Sequence, residues 1–423
     1  MSNRYNVIFA GAVLLASVPA SAATHSATSA TLKSVFAKVR SGDTIVLRGQ
    51  FSAQQLRNRS FTSAVTINAS AATFNGKLTI SDVDNLRVVG GTFGSATATW
   101  QVGGSASVLG GSNVSFINPT VIGNGAGRAR GLGFRGVNGA SVENGSFSGL
   151  RMGVGMNTVT NGRLYNNSVT GSTSDGFNIA GSHGVTASQN VCRATNMSAG
   201  SHPDCIQLWS LAGNPLQSDI SLVDNQAYGH TQGFTSFDPL NRGGGIRIEM
   251  SRNRVETTMP QGVACYRCVD SIFTDNLMIT APGANHMTRM NIIGGSNNII
   301  RGNTQGARPN STPDDLLAMT SMSTFDSAVS LVAAASFDTM SAFELAEYED
   351  FLAFEDGWDF TGDFADKSYE TADYVGLEQA KLGLGLALAA VPEPGVWAQL
   401  IAGFGLVGAA TRRRRRLQTM AAA

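Results

Sequence analysis

The sequence predicts an all-β fold, a right-handed parallel β-helix, on three observations. Apolar segments recur at a solenoid period, a second strand series shares that period, and glycine outnumbers proline by 49 to 11. In the first series the segments end in asparagine at Asn118, Asn144, Asn166, Asn190, Asn225, Asn253, Asn276 and Asn303, with gaps of 26, 22, 24, 35, 28, 23 and 27. In the second, a small residue opens an alternating run at Gly131, Gly153, Gly176, Cys205, Gly233 and Gly262, with gaps of 22, 23, 29, 28 and 29. Two strands per period make each repeat a coil, with glycine or asparagine supplying positive φ at the bends. Stacked coils align like residues, so the asparagines are expected to form a hydrogen-bonded ladder and the apolar residues a continuous core. Leucine-rich repeats share the period but need a dense leucine consensus that is missing, and propeller blades are longer.

Taken in chain order, the first element is Arg4, then VIFAGAVLLASVPA, then Ala20-Ser21-Ala22, the order of a secretory signal peptide over 1–22. Residues 32–47 read as a short amphipathic helix and a strand that cap the first coil, and the β-helix is expected over 23–305. The stretch 306–390 is an acidic, aromatic segment, a linker or a piece that docks on the body. Asp314 to Glu378 holds sixteen of the thirty acidic residues. Between Ala23 and Pro313, 22 Arg or Lys face 13 Asp or Glu, a surplus that suggests an anionic partner, outside the cell acidic polysaccharide rather than nucleic acid. In 391–416, Pro392-Glu393-Pro394 precedes an apolar stretch read as a transmembrane helix over 396–411 and the basic run Arg412 to Arg416. Export makes disulfides the default for Cys192, Cys205, Cys265 and Cys268, with a bridge between the first two pinning an inserted loop and a small ring closed by the last two.

Two resemblances follow from these residues. The tail from Val391 to Arg416 resembles the PEP-CTERM sorting signal, which implies processing by an exosortase at the inner membrane and a final place at the cell surface or in the extracellular matrix. The body, from about Gly42 to about Gln305, resembles the pectate-lyase-like β-helices, which implies an architecture and leaves the chemistry to the site. Asp238-Pro239-Leu240-Asn241 departs from the epimerase motif of that fold, with leucine where the motif has histidine.

Aligning the second series gives an expected outward row Gly133, Gly155, Asn178, Gln207, Thr235 and Ala264. Beside it run Arg130, Met152, Asp175, Asp204, Gln232 and Gln261 on one flank and Arg135, Asn157, Ala180, Trp209, Phe237 and Tyr266 on the other. Sugar rings stack on aromatic faces while acids and amides bind hydroxyls, so Gln207, Trp209, Asn178, Phe237 and Tyr266 are the candidate substrate-binding residues. The gap of 35 places inserted loops around Asp204, with His202 at the edge. For β-elimination on a uronate polymer the candidate catalytic set is Asp204, His202, Asp175 and Arg247. The two acids would bind Ca²⁺ or share a proton, the histidine would exchange protons, and the arginine would neutralise the substrate carboxylate. Non-catalytic glycan binding and a structural matrix role are the alternatives.

Overall fold

A computed structural model describes residues 22–126, 128–194, 203–210, 216–236 and 244–307. The strands form an all-β parallel solenoid of about nine turns. Each turn contributes to three parallel sheets, one more than the two strand series of the sequence reveal. Sheet A includes Ala106–Leu109, Arg130–Arg135, Met152–Asn157, Phe177–Ala180, Asp204–Trp209, Gln232–Ser236, Gln261–Tyr266 and Arg289–Ile293. Sheet B runs from Ser112–Ile117 through Ser218–Val223 and Ile246–Ser251 to Ile299–Arg301. Sheet C runs from Thr92–Gly94 through Val191–Ala194 to Thr304–Ala307. Alternation along sheet A sends Leu132, Val154, Phe177, Ile206, Phe234 and Val263 into the interior, where each is at most 1% exposed. Full burial of such a side chain contributes roughly 1.5–3 kcal/mol, repeated at every rung. Phe51, Phe74 and Phe93 pile up on three successive paired strands, Thr44–Phe51, Gln54–Phe74 and Thr92–Gly94, with centroids 5.3 and 4.6 Å apart.

The small-residue column has a steric cause. A Cβ on Gly131 would collide with the carbonyl oxygen of Gly153, one on Gly233 with that of Gly262, and one on Gly176 with Cys192 Sγ. Cys205 carries a side chain in this column because its sulfur bonds Cys192 in the interior, joining sheets C and A across a Cα separation of 5.4 Å. Cys265 and Cys268 are buried with their Cα atoms 5.9 Å apart.

The asparagine series divides into two columns. Asn118, Asn144 and Asn166 sit outside at bends, with φ of 53, 55 and 52°, and below them the same bend is made by Gln189, Asp224, Arg252 and Asp275. The buried ladder lies one residue on, at Asn167, Asn190, Asn225, Asn253, Asn276 and Asn303. Each rung's Nδ2 donates to the next Oδ1 at 2.9 to 3.2 Å, and that oxygen also accepts the rung's own backbone N–H. The first three asparagines of the sequence series therefore do not belong to the ladder. Asparagine serves both positions because it tolerates left-handed φ and also carries a donor and an acceptor.

At the N-terminal end the helix Leu32–Phe36 buries Leu32 and Phe36, as a cap should. Arg59 holds its C-terminal end by donating to the carbonyl oxygens of Phe36 (3.0 Å), Ala37 and Val39 (2.6 Å). Asp43, 5% exposed, accepts the backbone N–H of Arg40 and Ala23 and pairs with His25, which holds its carboxyl down at about 2. The expected signal peptide, the acidic segment beyond Ala307, and the tail with its helix 396–411 lie outside the described residues. Among the described residues no helix is long and apolar enough to cross a membrane.

Candidate functional site

Sheet A aligns the outward row as the sequence spacing requires: Gly133 pairs with Gly155, Gly155 with Asn178, Asn178 with Gln207, Gln207 with Thr235, and Thr235 with Ala264. The surroundings differ from expectation. An outward row on a solenoid is normally wet, yet Asn178 is 2% exposed, Gln207 3%, and Asp204 and Thr235 0%. Buried polar atoms must be paired to be tolerated, and the row is accordingly wired along the solenoid axis.

Asn178 Nδ2 donates to Asp175 Oδ2 at 3.1 Å and to Gln207 Oε1 at 2.9 Å. Asp175 Oδ1 accepts the Asp204 backbone N–H at 3.1 Å, so the two predicted acids are linked on adjacent rungs. Asp204 Oδ1 accepts the Thr235 hydroxyl at 2.8 Å. Among the described residues no group of three or more His, Cys, Asp and Glu comes together, so a cation bound by Asp175 and Asp204 would draw its remaining oxygens from amides, hydroxyls or solvent.

Two arginines join this cluster. Arg130 is buried at the start of the strand Arg130–Arg135, and Arg151, half-buried, immediately precedes Met152–Asn157 one rung on. Burial pushes the Arg130 guanidinium down to about 10, the nearby Arg151 charge adds to the drop, and Asp175 opposes it. Burial also lowers Arg151, with Asp175 again opposing. Two cations thus share one electrostatic neighbourhood with the Asp175 carboxylate. Sequence reasoning named Arg130 in the flanking row without a role and passed over Arg151. The signal for both was their place at the entry to two successive slot strands.

The arginine chosen from sequence does not reach this cluster. Arg247 lies on sheet B at a bend with φ of 54°, exposed, and bonds Asp219 through Nε and Nη2 at 2.5 and 2.7 Å. It therefore lies on a different sheet from Asp175 and Asp204, because the solenoid turns a corner between sheet A and sheet B. Trp209 pairs with Ala180 as expected, but it is packed against that residue at 2% exposure instead of presenting an open face. Tyr266 is half-buried and its hydroxyl accepts from Gln261 Nε2 at 3.2 Å. His202 and Phe237 lie outside the described residues, as does 238–241. The insertions around Asp204 fall between Ala194 and Asp204 and between Trp209 and Ser218, at the two ends of one sheet A strand.

No protein-family model matches the chain, and no curated protein matches it. Solved structures are similar in fold. An alginate lyase from Paenibacillus sp. str. FPU-7 is 15% identical with a TM-score of 0.44, over 66% of this chain and 99% of that one. PfbA, a surface adhesin of Streptococcus pneumoniae, is 9% identical with a TM-score of 0.46, over 63% and 80%. The PL6 family alginate lyase AlyGC is 10% identical with a TM-score of 0.35, over 69% and 52%. Identities of this size leave the chemistry of the site to this chain's own residues.

Proposed function

We propose that this is an exported protein, at the cell surface or in the extracellular matrix, that binds acidic polysaccharide along the outer face of sheet A. The observation that carries the reading is the pair of desolvated arginines, Arg130 and Arg151, set against the Asp175 carboxylate and continued by the amides of Asn178 and Gln207. Two neighbouring cations in a low-dielectric setting repel each other, and a ligand carboxylate relieves both the repulsion and the lost hydration. The amides and the Thr235 hydroxyl suit sugar hydroxyls. Export rests on the signal-peptide pattern of 1–22, and passage through the inner membrane with exosortase processing rests on the tail 391–416.

A second reading, cleavage of the same polymer by β-elimination, is favoured by the buried position of Arg130 in the electrostatic neighbourhood of Asp175. A guanidinium near 10 stays charged at neutral pH, which suits it to neutralise the carboxylate next to the proton being removed. Asp204 and Asp175 are then the groups for proton exchange and for a Ca²⁺ ion, with His202 at the edge.

The test is to mix the purified full chain with uronate polymers and with neutral dextran, measuring binding at increasing salt and ultraviolet absorbance with and without calcium. Salt-sensitive binding to the uronates alone is expected, since attraction between charges is screened as ionic strength rises. New absorbance adds cleavage to binding. Equal affinity for dextran, or none for any uronate, removes the proposal.

A further inference from the structure

The two ends of the solenoid are finished differently. At the N-terminal end the helix Leu32–Phe36 covers the first coil with Leu32 and Phe36. At the other end Arg289–Ile293, Ile299–Arg301 and Thr304–Ala307 form the last described coil, and its interior column is open to water. Ile300 continues the column of Met250 and Phe273, both 0% exposed, yet is itself 43% exposed. Met290 and Ile292, paired to the buried Val263 and Cys265, are only half-buried. Beside them Ile272 and Ile299 add an outer apolar stripe, so every exposed large hydrophobic side chain among the described residues lies between 272 and 300. The asparagine ladder stops here as well: with no rung below it among the described residues, Asn303 Nδ2 turns back to the Arg301 carbonyl of its own coil at 3.2 Å. An apolar strand edge of this kind pairs with other chains unless something covers it.

Charge and chain length select the cover. Residues 276–307 contain no Asp or Glu, while Arg289 and Arg301 are exposed with no ion-pair partner among the described residues. The chain leaves this coil at Ala307, and after the 33 residues 308–340 comes 341–356, which combines Phe343, Leu345, Phe351, Leu352 and Phe354 with six acids and no Lys or Arg. At coil dimensions 33 residues span about 30 Å, enough to reach any part of the last coil, and the short tether keeps the local concentration high. We propose that 341–356 docks on the open end of its own solenoid, its phenylalanines over Ile292, Ile299 and Ile300 and its carboxylates toward Arg289 and Arg301.

The experiment follows amide hydrogen exchange in the full chain at two protein concentrations. The reporters are the N–H groups of Ile299 and Thr304, which donate to Ser271 O and Asn276 O at the open end, and the reference is Ser221 N–H, which donates to Val185 O in mid-solenoid. Combined Phe351→Ser, Leu352→Ser and Phe354→Ser is expected to speed exchange at Ile299 and Thr304 roughly tenfold, and combined Arg289→Glu and Arg301→Glu about threefold, with Ser221 unchanged in both. Melting curves check that each variant is folded, and the arginine pair decides if the first variant is not. Parent-like exchange at the two reporters in a folded variant overturns the proposal. So does protection in the parent that rises with protein concentration, which assigns the end to a second copy of the chain.

Discussion

Sheets A and B share one chain, one period and one set of residue types, yet they present their polar groups to different media. Around sheet B, ion pairs sit in water: Arg247 with Asp219, Arg252 with Asp224, and Arg163 with Glu143 at 3.3 Å. On sheet A, Asp175, Asn178, Asp204 and Gln207 are buried, and burial lowers the arginines beside them. A charge pair in water is screened and contributes little, whereas the same charges out of water must be matched or they cost stability. The contrast teaches that charge count does not distinguish the two faces of the solenoid. The medium does.

The largest test of the contrast lies at a buried polar group. Asn225 accepts from Asn190, donates to Ala187 O, and donates again to Asn253. Asn225→Ala strands several of these partners out of water and should destabilise the solenoid by about 3 kcal/mol or more, read by thermal or denaturant unfolding. A loss no greater than that of an exposed substitution would break the comparison.

Next is the pair of arginines that sequence and structure rank differently. A cation whose pKa folding depresses costs stability wherever it is charged, here at every pH below about 10. Arg130→Met should therefore melt no lower than the parent while losing uronate affinity by about tenfold, close to 1.4 kcal/mol. Arg247→Ala should leave uronate affinity unchanged and lower the melting temperature only by the small, salt-sensitive amount that loss of its exposed pair with Asp219 brings. Reversal of the two outcomes would return Arg247 to the site.

The smallest effect sharpens the comparison between two carboxylates, Asp43 and Asp219, both held near 2. Backbone N–H groups do this for the buried Asp43, and exposed Arg247 does it for Asp219. A carboxyl lowered from 3.8 to about 2 stabilises the fold above its unfolded value and loses that contribution as pH falls through the interval. Asp43→Asn should lower the melting temperature at neutral pH, with the deficit against the parent closing by about pH 2. Asp219→Asn should show a smaller deficit that added salt removes, whereas salt should leave the Asp43 deficit in place.

The coil period and the slot column were legible because both are imposed by backbone geometry: a Cβ at Gly131 or Gly233 has no room, so the small residue must recur. The nearness of Cys192 to Cys205 was also legible, from the single strand and loop that separate them. The asparagine ladder was read one residue off at Asn166 and extended to Asn118 and Asn144, where Pro119 and Gly145 follow the bend, since identity alone does not separate a bend residue from a buried rung. The sheet that carries Arg247 was not legible, because a period states that two residues recur, not which of three sheets they occupy. The burial of sheet A was invisible in the sequence. Alternation marks a residue as outward, and outward ordinarily means wet.

The bond between Cys192 and Cys205 has a consequence for the chain as a single molecule. It closes a loop whose two ends are the neighbouring strands Val191–Ala194 and Asp204–Trp209. A protease that nicks the backbone anywhere inside that loop leaves both fragments joined through sulfur, each still stacked on its own coils. Under oxidising conditions the cut passes unnoticed in mass, except for one added water, and only a reductant divides the pieces.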